Sequence, residues 1–331
     1  MKAMLLEQTA SIEQNPLKRA DIPLPEPRVG ELLINVLACG VCHTDLHTAE
    51  GDLPLPLLPL VPGHQVVGRV VQVGSANSRI REQDRVGVTW FFSGCDSCRF
   101  CMEGRENLCP NALFTGYHVN GGYAEYMVVP EDSAFPIPDV FSDVEATPLL
   151  CGGVIGYRAL RLSEIKPGQR LGLYGFGNSA HVVIQVALRM GCRVYVFTRS
   201  PRHQKLAEEL GADWVGTPDT ASPEPLDGCI IFAPAGSLVP QALRALNKGG
   251  TLALAGITMT RIPELDYDLI YGERTMRSVA NTTRRDAAEL LKVAAEIPIR
   301  TVVDTFPLYE ANAVLRMMKE STLRAGAALI P

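Results

Sequence analysis

Four cysteines lie close together in the first half of the chain and could bind a metal ion. Gaps of two, two and seven residues place the four thiols within a segment of 15 residues. Zinc favours four soft ligands in a tetrahedron, and a loop of this length can fold all four around one ion. Iron–sulfur clusters also use four thiolates, and unrelated buried cysteines are the other alternative. The spacing favours a structural zinc site formed by Cys95, Cys98, Cys101 and Cys109.

A glycine-rich turn in the second half of the chain could bind a dinucleotide. The segment Leu171–Ala180 reads LGLYGFGNSA, which is the pattern G-x-G-x-x-G/A between a predicted strand and a predicted helix. Gly175 allows the tight turn, Gly177 lets the backbone approach a pyrophosphate, and Ala180 permits close packing of the helix against the sheet. The helix N-terminus, which includes Asn178, then faces the phosphates with its partial positive charge.

The choice between NAD and NADP is expected at the end of the following strand. An acidic residue there would bind the ribose hydroxyls and favour NAD. This chain has Thr198 instead, followed by Arg199, Ser200 and Arg202. Two guanidinium groups could hold a 2′-phosphate through charge-assisted hydrogen bonds, which favours NADP(H). If the arginines are solvated surface groups, the protein would use either cofactor, so NAD(H) stays an alternative.

Three further segments contain possible metal ligands or proton carriers, but none is informative by itself. They are GVCHTDLH at Gly40–His47, GHQ at Gly63–Gln65 and LCGG at Leu150–Gly153. A lone cysteine or histidine in apolar surroundings is more often a core residue than a ligand.

The elements that must position these residues are of two kinds. Up to about Cys151, short alternating apolar runs between turn residues predict an irregular β-barrel. From about Gly153, strands alternate with helices, which predicts βαβ units and a doubly wound parallel sheet. The predicted strands are Leu32–Ala38, Val66–Val73, Arg85–Trp90, Tyr123–Val129, Leu171–Gly175, Arg193–Phe197, Cys229–Ala233 and Thr251–Ile257. The predicted helices are Ser179–Met190, Pro201–Leu210, Leu238–Leu246 and Asp286–Glu296.

The composition limits the class of protein. A chain of 331 residues suggests about two domains, and 47% apolar with 20% charged residues is ordinary for a globular protein with a substantial core. The net charge of −5, without runs of like charge, argues against nucleic acid or a membrane surface as partner. No apolar stretch approaches the roughly 20 residues of a membrane span and no signal pattern opens the chain, so we expect a cytoplasmic protein. Its nine cysteines are then metal ligands or buried thiols rather than disulfides.

Taken together, these motifs resemble the medium-chain zinc alcohol dehydrogenases over essentially the whole chain, most closely their bacterial and yeast branch. The resemblance implies a GroES-like β-barrel catalytic domain at 1–152, to which 285–331 returns, and a Rossmann cofactor domain at 153–284. It also implies two zinc ions per chain and a homo-oligomer, either a dimer or a tetramer. In this resemblance the catalytic zinc is held by Cys42, His64 and Cys151, with a fourth position open.

The resemblance assigns further residues around that zinc. Asp45 would orient the metal-bound imidazole, as carboxylates commonly do. Thr44 and His47 resemble a relay that carries the alcohol proton to solvent, for which a neutral imidazole near pH 7 is suited. A threonine and a histidine that cap a helix starting near Asp45 are the alternative. Many relatives have Glu after the Gly-His pair, whereas this chain has Gln65, which puts a ligand-exchange role there in doubt.

The resemblance also implies contacts with cofactor and substrate. His43 occupies a position at which relatives place a cation against the cofactor phosphates, and Arg324 matches an arginine that reaches the pyrophosphate. Leu53, Trp90 and Ile257 match positions of an apolar, moderately narrow substrate pocket. Each of these residues could equally be an ordinary surface or core residue.

The implied activity is reversible hydride transfer between a small primary or secondary alcohol, or its aldehyde or ketone, and a nicotinamide cofactor. A zinc-free medium-chain reductase is one rival, but such relatives usually lack both cysteine sets. A non-catalytic nucleotide-binding protein on the same fold is the second rival, since a fold does not fix a function. That protein would have no need of the ligand and relay residues together.

Replacement of Cys42 by serine separates the last rival from the enzyme. Cys42→Ser should leave cofactor binding intact and abolish turnover, because the substitution removes a thiolate from the predicted catalytic zinc. Cofactor binding is measured by fluorescence titration and turnover by nicotinamide absorbance, in the same preparation. Turnover that survives the substitution would show that the predicted site is wrong.

Overall fold

Strands and helices alternate with apolar periodicity along most of the chain. The computed structural model describes residues 1–76, 78–297, 299–323 and 326–331. Among these residues the strands are β1 (Lys2–Leu6), β2 (Leu17–Asp21), β3 (Glu31–Gly40), β4 (Gln65–Val73), β5 (Arg85–Val88), β6 (Phe91–Ser93), β7 (Leu113–Phe114), β8 (Tyr126–Pro130), β9 (Ala134–Pro136), β10 (Arg170–Tyr174), β11 (Arg193–Phe197), β12 (Trp214–Gly216), β13 (Leu226–Ile231), β14 (Leu246–Leu254), β15 (Thr275–Ser278), β16 (Val303–Pro307) and β17 (Gly326–Ile330). The helices are α1 (His43–Glu50), α2 (Arg99–Met102), α3 (Asp143–Ala146), α4 (Gly152–Leu162), α5 (Asn178–Arg189), α6 (Pro201–Glu209), α7 (Leu238–Ala245), α8 (Arg284–Glu296) and α9 (Ala311–Lys319).

The described chain divides into two units. The first contains Met1–Cys151 and Asn281–Pro331, and the second contains Gly152–Ala280. The first is built mainly from antiparallel strands and the second from parallel strands with helices between them. The predicted fold class, an irregular β-structure followed by a doubly wound parallel sheet, is therefore confirmed.

The sheet of the first unit pairs the C-terminal strand of the chain with strand β3. Its strands run in the order β16-β17-β3-β4-β5-β9, and β8 also pairs with β3. In β3 the apolar side chains are almost continuously buried, because the strand is paired with several neighbours. The C-terminal strand β17 pairs with the end of β3, where Leu329 lies opposite Cys39. This pairing holds the point at which the chain leaves the sheet and enters α1.

The sheet of the second unit is parallel throughout, in the order β12-β11-β10-β13-β14-β15. Strands β11 and β12 lie on one side of β10 and strands β13 to β15 on the other, so the order in which strands are added reverses at β10. Such a reversal leaves a crevice at the carboxyl ends of the strands. Strand β10 is buried along almost its whole length, and the glycine-rich turn follows it directly. In the core of the second unit, the Tyr174 ring stacks on the Phe197 ring, with centroids 4.2 Å apart.

Some elements differ from the sequence prediction. Strand β14 ends at Leu254 rather than Ile257, and it starts at Leu246, where the sequence predicted the end of a helix. The prediction contained neither α4, which opens with Gly152 and Gly153, nor α9. Glycines lower intrinsic helix propensity, so the start of α4 has the composition of a turn although the helix forms by packing on α5. Among the described residues, no helix is long and apolar enough to cross a membrane.

Candidate functional site

The four clustered cysteines bring their sulfur atoms within 4.8 Å of one another. The Sγ atoms of Cys98 and Cys101 are 3.6 Å apart, and those of Cys95 and Cys109 are 3.5 Å apart. A tetrahedral zinc with Zn–S bonds of about 2.3 Å holds its sulfurs about 3.8 Å apart, whereas a disulfide bond measures about 2.05 Å. All four are free thiols. The donor set and its spacing therefore fit a zinc ion.

Backbone amides support the thiolate form of this cluster. The N–H groups of Cys98 and Asn111 donate to the sulfurs of Cys95 and Cys109, each over 3.4 Å. Hydrogen bonds from the backbone of Ser97 and Cys98 lower the pKa of Cys95 to about 6. Zinc binds thiolates rather than thiols, so these bonds favour metal binding at Cys95, whereas burial and the neighbouring thiols raise the pKa of Cys101 to about 12, a proton that a metal ion would have to displace.

One arginine of the first unit fastens the cysteine loop to α8. The Arg284 backbone N–H donates to Glu106 Oε1 over 2.8 Å, and its guanidinium lies 3.3 Å from Asp96 Oδ1. The same guanidinium lies 5.2 Å from the centre of the Phe91 ring. The loop is therefore attached to the rest of the unit by polar contacts, as expected for a segment with little apolar core of its own.

A second cluster joins three residues that are far apart in sequence. The donor atoms of Cys42, His64 and Cys151 all lie within 4.8 Å of one another. Cys151 Sγ is 3.8 Å from Cys42 Sγ and 3.3 Å from His64 Nε2. Two thiols and an imidazole are soft and borderline donors that suit zinc, and three protein ligands leave a fourth tetrahedral position free. The residues present therefore fit a zinc ion with an open site.

Each of these ligands stands at the end of a regular element. Cys42 is the N-cap of α1, directly after β3. His64 precedes the first residue of β4, and Cys151 follows a 3-10 turn at Thr147–Leu150. Residues at element ends have backbone directions that the elements themselves hold, which places the side chains accurately.

Asp45 connects two of the three ligands. Its Oδ1 lies 2.9 Å from His64 Nδ1, and its Oδ2 accepts the backbone N–H of Cys42 over 2.9 Å. Both Asp45 and His64 are almost completely buried. Because the carboxylate accepts a hydrogen bond from Nδ1–H, the neutral ring that binds a metal has its lone pair on Nε2, which is the nitrogen that faces the two sulfurs.

The charges in this cluster are strongly coupled. Burial opposes an imidazolium at His64, but Asp45 outweighs it and raises the pKa of His64 to about 10. The pKa of Cys42 is lowered well below its usual value because Cys151 donates a hydrogen bond to it, and the pKa of Cys151 is raised correspondingly. A dication displaces such protons from its ligands, so metal binding here is accompanied by proton release.

The two predicted relay residues lie on α1. Thr44 is buried, and its Oγ1 lies 3.7 Å from Cys42 Sγ. His47 is three residues further, hence on the same face of the helix, and 27% of its side chain is exposed. Its Nδ1 lies 2.7 Å from Asp52 Oδ2. One relay residue is thus beside the metal ligands and the other has access to solvent.

An aromatic group lies against His64. The Trp90 ring meets the His64 ring edge to face, with centroids 4.9 Å apart. Phe114 stacks on Trp90 at 5.3 Å and Tyr117 approaches it at 5.7 Å. Leu53 is half-buried in the loop after α1. The surroundings of the ligand histidine are therefore apolar on this side.

Gln65 lies beside the second cluster but is not one of its donors. It is the first residue of β4, is buried, and pairs with Gly40 of β3. Its amide carries no charge, so the only carboxylate in direct hydrogen bond with the described cluster is that of Asp45.

The glycine-rich turn has the geometry that close approach of a ligand requires. Gly175 has a φ of +87°, and a Cβ there would lie 2.9 Å from the backbone nitrogen of Ala233. Gly177 is different, because a Cβ added to it would meet nothing within 4 Å. Asn178 is the first residue of α5, and Ala180 is fully buried. The open space over Gly177, at a helix N-terminus, fits a pyrophosphate.

The residues after β11 surround the N-terminus of α6. Thr198 is buried and its carbonyl accepts a hydrogen bond from Gln204, while Ser200 is the N-cap of α6 and accepts from His203. The Arg199 and Arg202 side chains are exposed. Within the described chain neither arginine forms an ion pair. Two cations without acidic partners can therefore meet an anionic ligand.

Three predicted contacts are not joined to these sites by the described residues. His43 is the exposed first residue of α1. Ile257 is 63% exposed and follows the end of β14 by three positions. Arg324 lies outside the described residues. The roles of all three stay predictions.

Sequence reasoning missed some residues of the candidate site. Asp52 next to His47, Tyr123 next to Asp45, and the aromatic pair Phe114 and Tyr117 next to Trp90 were not singled out. A carboxylate five residues after His47, at the end of a short helix, was a usable signal for Asp52. The others come from a distant loop, and no local pattern relates that loop to His64.

The chain is similar to known dehydrogenases over its whole length. Residues 28–139 match the alcohol dehydrogenase GroES-like domain, and residues 180–296 match the zinc-binding dehydrogenase family. The probable alcohol dehydrogenase AdhA of Mycobacterium tuberculosis is 45% identical, over 100% of this chain and 97% of the relative. An alcohol dehydrogenase of Geobacillus stearothermophilus is 38% identical, over 95% of each chain. The cobalt- and zinc-bound alcohol dehydrogenase of Pyrobaculum aerophilum superposes with a TM-score of 0.89 at 26% identity, covering 100% of this chain and 99% of that one.

Substitution of Gly177 tests the glycine-rich turn separately from stability. Gly177→Ala should leave the unfolding temperature unchanged, because the added methyl group meets no protein atom within 4 Å. It should weaken binding of NADPH or NADH by about tenfold or more, the value of one lost hydrogen bond to a charged group. Fluorescence titration and thermal unfolding measure the two effects.

Gly175→Ala is the matched control, because its φ of +87° and its contact with Ala233 predict a loss of stability as well. Undiminished cofactor affinity in folded Gly177→Ala would contradict a pyrophosphate at this turn.

Proposed function

Because this chain belongs to the family of medium-chain, zinc-dependent alcohol dehydrogenases, we propose that Cys42, His64 and Cys151 hold its catalytic zinc. It is an oxidoreductase that transfers hydride reversibly between a small alcohol and a nicotinamide cofactor. The proposal rests on one observation, namely that the two cysteine sulfurs and His64 Nε2 lie within 4.8 Å of one another. Asp45 forms a hydrogen bond to the other nitrogen of the same imidazole. Cys95, Cys98, Cys101 and Cys109 hold the second, structural zinc.

When bound, the zinc supplies a Lewis acid for the substrate oxygen and the nicotinamide supplies or accepts the hydride. The residues of the chain do the rest. Asp45 holds His64 with Nε2 directed to the metal position. The Thr44 hydroxyl would accept the proton of the alcohol and at the same time release its own proton toward His47, whose imidazole would take it up and pass a proton to solvent. Asp52 accepts the Nδ1 proton of His47 and so keeps Nε2 of that ring available for the transfer.

The proposed substrate is an uncharged, small primary or secondary alcohol, or its aldehyde or ketone. Trp90, beside His64, and half-buried Leu53 provide apolar surroundings without a charge that would select an ionic substrate. The role expected of Ile257 in substrate binding stays a prediction. Apolar walls exclude water from the reacting atoms and strengthen the electrostatic contacts there.

The cofactor site of the proposal lies mainly in the residues 153–284, with 1–152 and 285–331 as the catalytic domain. Gly175, Gly177, Asn178 and Ala180 receive the pyrophosphate in the proposal, and the cofactor contacts expected of His43 and Arg324 stay predictions. Exposed Arg199 and Arg202, after Thr198 and next to the cap residue Ser200, favour NADP(H) over NAD(H). Their guanidinium groups would bind a 2′-phosphate.

An oligomer of identical chains is also part of the proposal. Strand β15 is the last strand of the parallel sheet in the described part of the chain. Large apolar side chains are exposed on and near it, among them Tyr267 at 69%, Tyr271 at 66% and Met276. An exposed strand edge with apolar neighbours favours pairing with a second copy, as a dimer or as half of a tetramer.

The activity is tested with NADPH and NADH, each against a panel of small aldehydes and ketones, before and after zinc removal. We expect oxidation of the cofactor that requires the carbonyl compound and is lost with the zinc, because the substrate oxygen needs the Lewis acid. Absorbance at the nicotinamide band follows the reaction, and metal analysis follows the zinc. Protein that holds two zinc ions and oxidises neither cofactor with any carbonyl compound would contradict the proposed activity.

Removal of the two arginines tests the cofactor preference. Arg199→Ala and Arg202→Ala should each lower kcat/KM with NADPH by roughly tenfold, since a hydrogen bond to a charged group is worth about 1.5 kcal/mol. The value with NADH should not change. The control is Arg189→Ala, which removes an exposed arginine at the opposite end of α5 from the glycine-rich turn. An equal loss with both cofactors, or none with either, would contradict the preference for NADP(H).

A further inference from the structure

Tyr123 is a fully buried tyrosine whose hydroxyl points to the carboxylate of Asp45. The hydroxyl donates to Asp45 Oδ2 over 3.2 Å, and the side chain has no exposed surface. Asp45 Oδ2 also accepts the Cys42 amide, while Oδ1 faces His64 Nδ1. The carboxylate thus has three donors, each from a different part of the first unit.

The segment that contains Tyr123 is bonded to the segment that contains His64. Gly121 N–H donates to the Val61 carbonyl over 2.7 Å, and Tyr123 N–H donates to the Pro62 carbonyl over 2.9 Å. Gly121 approaches so closely that a Cβ would lie 1.9 Å from the Gly63 oxygen. Tyr123 therefore has a fixed position relative to the backbone before His64, although the two residues are 59 positions apart.

We infer that Tyr123 is a positioning residue of the catalytic zinc site, acting through Asp45 on His64. Without a donor beside Oδ2, the carboxylate could rotate about its Cβ–Cγ bond, with only the Cys42 amide to hold that oxygen. With Tyr123 in place, Oδ1 stays directed at Nδ1 of His64, and Nε2 stays directed at the metal position. Residues behind a metal ligand commonly tune affinity in this way. The inference rests on the proposed function, because it requires zinc on Cys42, His64 and Cys151.

A purely structural role predicts something different. A buried phenol needs a hydrogen-bond partner, and Asp45 could be no more than that partner. In that case loss of the hydroxyl would change the stability of the fold and leave the metal site unchanged. The test must therefore observe the metal itself, with the structural zinc of the same chain as an internal reference.

The test compares Tyr123→Phe with Tyr195→Phe in the zinc-loaded enzyme. Tyr195 is the matched control, since it is also buried and its hydroxyl donates to a carboxylate, Glu224 Oε1, over 2.9 Å. Zinc release to a coloured chelator is followed over time, and cobalt is exchanged into the catalytic site to record its visible bands. We expect Tyr123→Phe to lose one of its two zinc ions about tenfold faster than wild type and to shift the cobalt bands. Tyr195→Phe should do neither.

The result that overturns the inference is release kinetics and cobalt bands in Tyr123→Phe that match those of wild type and of Tyr195→Phe. A double-mutant cycle adds a second criterion, because Tyr123 acts only through Asp45. Asp45→Asn and the double variant should release the catalytic zinc at the same rate. If the double variant instead releases zinc faster than Asp45→Asn, by the factor that Tyr123→Phe shows alone, then Tyr123 does not act through Asp45.

Two further measurements keep the outcome unambiguous. If Tyr123→Phe does not fold, Asp45→Asn alone must release the catalytic zinc faster than wild type, and unchanged release would overturn the inference. The zinc content of wild type separates this inference from the proposed function. Wild type with one zinc ion would refute the proposed catalytic site itself, whereas two zinc ions with an inert Tyr123→Phe would refute only the role of Tyr123.

Discussion

The Asp45 carboxylate is the contact on which the candidate metal site depends. It accepts from the Cys42 amide and the Tyr123 hydroxyl, and its other oxygen faces His64 Nδ1, at distances between 2.9 and 3.2 Å. A buried carboxylate is costly unless its oxygens are satisfied, and a buried imidazole with an undefined tautomer is a poor ligand. The Asp45 side chain meets both requirements, because it orients the histidine and its own oxygens are stabilised by hydrogen bonds from three segments.

The surrounding fold supplies those donors at fixed positions. Strand β3 is held on one side by β4 and on the other by β17 and β8, so the chain enters α1 at a defined place. Cys42 and Asp45 are consequently placed together. The close contact of Gly121 with Gly63 brings Tyr123 and His64 together in the same way. Loops would not give this accuracy, since catalytic ligands on element ends are held by the packing of the elements.

The second unit serves a different requirement, which is the approach of a large anionic ligand to the backbone. Gly175 makes the turn possible with a left-handed φ that other residues rarely adopt. Gly177 leaves the helix N-terminus uncovered. Arg199 and Arg202, exposed after β11, add positive charge around the N-terminus of α6. The candidate metal site thus depends on a polar network in the first unit, and the candidate pyrophosphate site depends on a glycine-rich turn in the second.

The sequence by itself determined what local pattern can determine. Four cysteines within 15 residues can reach one ion whatever the rest of the chain does, and strand β11 was predicted with its observed bounds because its apolar run stands between clear turn residues. Cys42, His64 and Cys151 are separated by 21 and 86 residues, and their grouping came from family resemblance alone. The same resemblance led us to expect Asp45 behind a metal-bound imidazole, whereas only the tertiary structure decided that Tyr123 reaches Asp45 and that α4 is helical despite its glycines. The physical reason is that hydrogen bonds between distant segments depend on where the chain folds back, which no local pattern records, and that packing on a neighbouring helix can outweigh the low helix propensity of glycine.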